Sequence, residues 1–499
     1  MPSHAWRPSG VVGLTALLAT ALVGLVSCGP TPNQYLAEPE REFGVSRTGA
    51  DLRVYHAALL TPNGIGLREP GFLVGVENLH PESAEFAPAN DPNRRQGERH
   101  VLTHIVRYNL GDPADPKAAG VRSCVLFSIL DRDDPDPDRR LFQRCPGVPP
   151  YQVTAGSTAS SSQGEAIARL REGITLALTQ AAATKPLSHI LVVVMGWNTD
   201  QVSALANFDS LAGNLADVAR ERGETFRPLV IGLSWPSKWQ LGEWSVVPDI
   251  LIRGVSFPFK RRDANDTGVH VLRDLVLEGV LPGRRHAPHA DGQVEPPIVL
   301  IGHSFGARAL VRALATQRAA GAGFLDTDRL LLLQGAFEFK DLFQKHGQGP
   351  LAEAFDQARP RVTMTASRYD SAVAAAFWGQ YAGDIDTFDK ACRGEKGRFL
   401  GAAQMPGDLA PIGCAELRPG AADFALDVCT ATEDDPAPLA RALDGRPVRY
   451  FDASRLINCQ PPFSGGGAHS DVFRRETAQF LWSEIEPQPA QERSPDSSG

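Results

Sequence analysis

The residues best placed to do chemistry in this chain form Gly302-His303-Ser304-Phe305-Gly306, a serine framed by glycines. An apolar run over 298–301 stops at the first glycine, and Ala307, Leu310, Val311 and Leu314 then recur at helical spacing. A sharp strand-to-helix turn needs small residues on both sides of its serine, which it lifts off the end of the strand. A hydroxyl presented in that way attacks carbonyl carbon once a base removes its proton, so the chemistry is acyl transfer. Chance gives roughly 0.2–0.3 such pentapeptides in a chain of this length, so the flanking pattern must decide. Two near misses, Gly232-Leu233-Ser234-Trp235-Pro236 and Gly254-Val255-Ser256-Phe257-Pro258, put proline at the second glycine position and lead into no helical pattern. Ser304 is the candidate nucleophile, and a buried structural serine in a strand–helix corner is the competing reading.

The base and acid follow by chain order, which on such turns runs Ser, acid, His. Downstream of Ser304 only His346 and His469 remain, and only His469 follows the last expected strand. It sits in Gly465-Gly466-Gly467-Ala468-His469-Ser470-Asp471, where Ser470 or Asp471 is also a credible N-cap for a helix over 472–485. The acid candidate is Asp370, just past an apolar run at 362–366; its rival role is to cap an alanine-rich helix over 371–377. Glu338, after the preceding run, is the second candidate. The developing oxyanion needs backbone N–H groups, expected from Phe305 and from Trp197 in Gly196-Trp197-Asn198.

Met195-Gly196-Trp197-Asn198, Leu233-Ser234-Trp235-Pro236-Ser237, the serine pentapeptide and Ser367-Arg368-Tyr369-Asp370 together resemble a poorly characterised α/β-hydrolase family. Its members carry a His-Gly-Trp/Phe-Asn block, a Ser-Trp-Pro-Ser block and a serine elbow at similar intervals. The similarity spans about 185–380 plus the His469 loop. It implies an α/β-hydrolase fold and ester or thioester cleavage, with no cofactor or metal. Met195 departs from the family's usual histidine, which is not the triad base, and leaves the shape of the oxyanion loop open. Trp235, Trp239 and Trp244 crowd into ten residues. Core packing, an acyl subsite and contact with a membrane interface are all open to them.

The elements that must position these residues alternate. Apolar runs at 190–195, 229–233, 298–301, 330–333, 362–366 and 448–451 read as strands buried on both faces. Helical spacing fills 163–183, 202–222 and 268–279, so a mostly parallel central sheet with flanking helices is expected. Before it, 51–160 reads as a β-rich region offering antiparallel edge strands, and the hydrolase domain as 161–487. Within that domain 379–446 breaks the rhythm and reads as a disulfide-tied insertion or lid. Residues 488–499 read as a disordered tail.

The first residues read as an address. An apolar run over 11–26 ends at Leu25-Val26-Ser27-Cys28, which resembles the lipobox of bacterial lipoproteins. That resemblance implies removal of 1–27, a lipid on Cys28, a tether over 28–50, and a place in the bacterial cell envelope outside the cytoplasm. An ordinary secretory signal or an uncleaved anchor is the alternative. Cys124, Cys145, Cys392, Cys414, Cys429 and Cys459 remain, an even number that points to disulfides in an exported chain. Nearest-neighbour loops favour Cys124–Cys145 and Cys392–Cys414, leaving Cys429–Cys459. No Cys-x-x-Cys pair is present to bind zinc. A net charge of -8 over 499 residues, without a basic stripe, argues against nucleic acid as a partner. The expected function is a membrane-tethered serine hydrolase acting on a small-molecule or lipid ester, with a non-catalytic envelope binding or assembly module as the alternative.

Overall fold

The computed structural model describes residues 67–78, 100–109, 123–129, 144–151, 159–199, 201–237, 257, 260–287, 295–315, 323–338, 360–374, 381–393, 412–416, 448–459 and 468–486. Residues 1–27, Cys28, the 28–50 tether, Trp239, Trp244, Cys429 and the 488–499 tail lie outside them.

The apolar runs become strands of one sheet. β1 (Gly71–Asn78), β2 (His100–Tyr108) and β3 (Ser123–Ser128) come from the N-terminal region. They are followed by β4 (His189–Val194), β5 (Pro228–Ser234), β6 (Ile298–His303), β7 (Arg329–Leu333), β8 (Arg361–Ala366), β9 (Ile412–Glu416) and β10 (Val448–Asp452). Their order is β3-β2-β1-β5-β4-β6-β7-β8-β10-β9. Every residue of β4 to β7 is buried, as unalternating apolar runs require of strands covered on both faces.

Helices supply that cover: α1 (Ala159–Ala182), α2 (Gln201–Glu221), α3 over 260–286, α4 (Phe305–Leu314), α5 (Ser371–Ala374), α6 (Ile385–Arg393) and α7 (Arg475–Ile485). Within α3, Gly268–Leu272 and Leu275–Val280 are π-helical. Two glycines reveal the layering. A Cβ on Gly232 would strike the Phe208 ring of α2, and one on Gly302 would strike Ala307 of α4. Gly232 pairs with Val193 and Gly302 with Val194, adjacent residues of β4 that point to opposite faces. So α2 and α4 cover opposite sides of the sheet.

The N-terminal strands extend the edge of the sheet with the expected antiparallel pairings, but join it in parallel. β2 runs antiparallel to both neighbours, but β1 lies parallel to β5, and two reversals return β3 to the same direction. The 379–446 segment is also more regular than its sequence implies. It contributes α6 and an edge strand, β9, parallel to β10. The disulfides Cys124–Cys145 and Cys392–Cys414 tie β3 to its following loop and α6 to β9. Cys459 is also disulfide-bonded, to a partner outside the described residues. Among the described residues no helix is long and apolar enough to cross a membrane.

Candidate active site

β6 ends at His303 and α4 starts at Phe305, leaving Ser304 alone to turn the chain. It does so at φ 56°, ψ −121°, a backbone conformation that costs a residue with a side chain on the order of 1–3 kcal/mol. Both framing glycines are demanded by close approach. A Cβ on Gly302 would sit 2.6 Å from the Ala307 backbone, and one on Gly306 2.2 Å from the Val194 carbonyl oxygen. The turn is pinned to β7 and the loop after it: Ser304 N–H donates to Leu333 O at 3.0 Å, and Ala336 N–H to Ser304 O at 3.1 Å.

Asp370 follows β8 and is fully buried. Its Oδ1 accepts the amides of Ala372 (3.1 Å) and Val373 (3.2 Å), capping α5. Its Oδ2 accepts from His469 Nδ1 at 2.7 Å and from Gln334 Nε2 at 3.0 Å. The capping and orienting readings of Asp370 therefore coexist, one on each oxygen. With Nδ1–H committed to the carboxylate, Nε2 is left as the basic nitrogen of His469.

His469 opens the 3₁₀ turn His469–Phe473, and α7 begins only at Arg475 with no side-chain cap. This corrects the expectation that Ser470 or Asp471 caps that helix. The Asp471 carboxylate instead accepts the amides of Asn458 (3.0 Å) and Cys459 (2.6 Å), tying the base's turn to the segment after β10. Two further bonds fix His469: Ala468 N–H donates to Tyr369 O, and His303 Nε2–H donates to His469 O at 2.8 Å. The two imidazoles pack at a tilt of 43° with centroids 4.4 Å apart. Burial first, and then the neighbouring His469, hold the His303 pKa well below 6.5, so this ring stays a neutral donor. No hydrogen bond joins the Ser304 hydroxyl to His469 among the described residues. Glu338 is engaged elsewhere, 2.5 Å from the Arg261 guanidinium.

The Gly196-Trp197-Asn198 loop faces the serine turn, since a Cβ on Gly196 would lie 3.0 Å from Ser304 Cβ. Phe305 is the first residue of α4, so its amide has no acceptor within the helix. The Trp197 amide donates to no group among the described residues. Two sequence blocks some forty residues apart are laced into one unit here. Trp235 Nε1–H donates to Met195 O at 2.9 Å, and Asn198 N–H to Ser237 O at 3.2 Å. The Thr199 amide donates to Ser237 Oγ at 3.0 Å, and that hydroxyl returns a bond to Thr199 O at 2.8 Å. Lys260 Nζ holds Pro236 O from behind at 2.6 Å. Trp235 is thus a buried strut for the loop, not an acyl subsite or a membrane contact. Met195 is buried in the core, and its backbone carries the contacts that shape the loop. Phe257 packs on both flanking rings, 5.5 Å from Trp197 and 4.9 Å from Phe305, giving the site an aromatic side.

Ser304, Asp370, His469, Trp197 and Phe305 all come from the sheet's carboxyl edge, where the ends of β4, β6 and β8 and the chain after β10 converge. Sequence reasoning missed Gln334 and His303. Gln334 sits at φ 46° directly after β7 and also bonds Thr365 Oγ1. A lone polar residue closing a leucine run was the available signal for it. Among the described residues no group of three or more His, Cys, Asp or Glu could hold a metal ion. Comparison with protein-family models, curated proteins and solved structures found no match to this chain.

Proposed function

We propose that this protein is a serine hydrolase that cleaves esters or thioesters through an acyl-enzyme, on an α/β-hydrolase fold tethered by a lipid on Cys28 outside the cytoplasm of a bacterium. The observation that carries the reading is the 2.7 Å bond from His469 to a fully buried Asp370, beside a serine held at positive φ. The motif resemblance and the chain order Ser304, Asp370, His469 support it independently. In the proposed cycle Ser304 Oγ attacks the carbonyl carbon as His469 Nε2 takes its proton. Asp370 keeps Nδ1–H in place and stabilises the imidazolium. The Trp197 and Phe305 amides receive the oxyanion, whose collapse breaks the bond to the alcohol or thiol as His469 Nε2–H protonates that leaving group. Water, deprotonated by the same histidine, then attacks the acyl-enzyme, and the proton returns to Ser304 Oγ as the acid leaves.

The unmade bond between Ser304 and His469 favours a second reading, a binding or assembly module that keeps the scaffold without turnover. The two part on one experiment: the full-length protein in detergent is exposed to a fluorophosphonate probe and to short p-nitrophenyl esters. Covalent labelling with ester turnover supports the hydrolase, and a folded protein that does neither supports the module.

A further inference from the structure

The N-terminal strands bury polar groups that the proposed cycle does not use. Glu77 of β1 and His104 of β2 are each about 1% exposed, with His104 Nδ1 3.5 Å from a Glu77 carboxylate oxygen. Such a pair needs an unusual backbone. β2 shifts register against β1 between Gly75 and Val76, so Thr103 and His104 both face the same partners. A regular pleat would send these consecutive side chains to opposite faces. Here Thr103 Oγ1 lies 3.0 Å from His104 Nδ1. Gly75 makes room for the ring, since a Cβ there would fall 2.0 Å from it.

One end of this arrangement reaches the helix that follows the Trp197 loop. His104 Nε2 bonds Gln201 Oε1 at 3.1 Å, which links the Glu77–His104 pair to Gln201. Gln201 is the first residue of α2, directly after the loop that carries Trp197. Desolvation raises Glu77 to about 7, against the pull of His104, so the cluster changes charge near neutrality. A second buried charged network holds Lys260, which donates to Pro236 O, and Asp263, which pairs with Lys260 and faces His100 at the start of β2.

We propose that Glu77, His104 and Gln201 are positioning residues that clamp the start of α2 and so hold the Trp197 amide where an oxyanion would form. The inference rests on the hydrolase reading and gives the N-terminal strands a part in it. Its test uses the full-length protein and two readouts. Gln201→Ala and His104→Ala should lower kcat on a p-nitrophenyl ester about 10-fold or more while KM stays within about two-fold, as loss of a transition-state contact does. Amide hydrogen exchange, followed by mass spectrometry, should speed up across 196–199 in the same variants. The isosteric Glu77→Gln keeps the shape of the clamp. It should lose less of kcat than Glu77→Ala, and its kcat should depend on pH differently from the wild type's between pH 6 and 8. Folded variants with wild-type exchange, kcat and pH profile overturn the clamp while leaving Ser304 labelling untouched. A wild type that fails to label overturns the hydrolase reading, and the exchange comparison still decides the clamp.

Discussion

Asp370 is occupied on both oxygens, and the division has consequences for substitution. In Asp370→Asn one oxygen can still cap α5, but the new NH₂ cannot accept His469 Nδ1–H. The ring then loses its tautomer without the fold losing its cap. The expected losses in kcat are roughly 10³-fold or more for His469→Ala, and comparable or smaller for Asp370→Asn. Glu338→Gln should stay within about three-fold of wild type, because Glu338 is committed to Arg261. Steady-state ester hydrolysis checks all three. A silent Asp370→Asn beside a crippled Glu338→Gln would move the acid to Glu338. Chain order and the loop after a strand made Ser304, Asp370 and His469 readable as a set. Gln334 and His303 were not, because their roles depend on which carboxylate and which carbonyl the fold brings beside them.

At the scale of elements, β4 to β8 and β10 were legible because burial on both faces writes an unbroken apolar run, whereas β9 carries no such run. The direction of β1 was not legible, since its pattern is the same whether it pairs parallel or antiparallel with β5. The register shift at Gly75 was hidden too, and Glu77 and His104 look like ordinary polar residues of an exposed strand face, although β2 is buried at every residue and Glu77 with it. That burial predicts a pH dependence of stability. Glu77 titrates near 4.5 unfolded and about 7 folded, so the folded state holds its proton more tightly. Its contribution is fully present below pH 4.5 and is lost as pH rises to about 7. Urea unfolding at pH 8 should therefore find Glu77→Gln more stable than wild type, on the order of 1–3 kcal/mol, with the difference vanishing at pH 4.5. His189 acts from the other side. Buried between Phe226 and Trp482, it is pushed down to about 4, so its stabilisation is lost as pH falls from 6.5 to about 4. An unchanged midpoint for Glu77→Gln across this range would contradict the assignment of Glu77 as a proton-binding group of the fold.

The whole molecule joins a mostly parallel sheet, two described disulfides and a candidate lipid anchor. The bridges close loops of 21 and 22 residues, each expected to contribute about 3 kcal/mol by restricting the unfolded chain. Non-reducing peptide mapping of protein from its native cells should find Cys124–Cys145 and Cys392–Cys414, with Cys459 joined to Cys429. Free thiols at these positions would remove the case for an oxidising compartment. Cys28→Ser should abolish incorporation of a labelled fatty acid, and undiminished incorporation would refute the anchor. The central claim is that the strained serine is a working nucleophile, and one measurement reaches it most directly. Full-length wild type and Ser304→Ala, matched for folding by thermal unfolding, are treated with a fluorophosphonate probe, and the labelled peptide is sequenced by mass spectrometry. The account predicts a single adduct on Ser304 in the wild type and none in the variant, with ester hydrolysis falling by roughly 10³-fold or more. Equal hydrolysis by the two proteins, or an adduct on another residue with Ser304 unmodified, would contradict it.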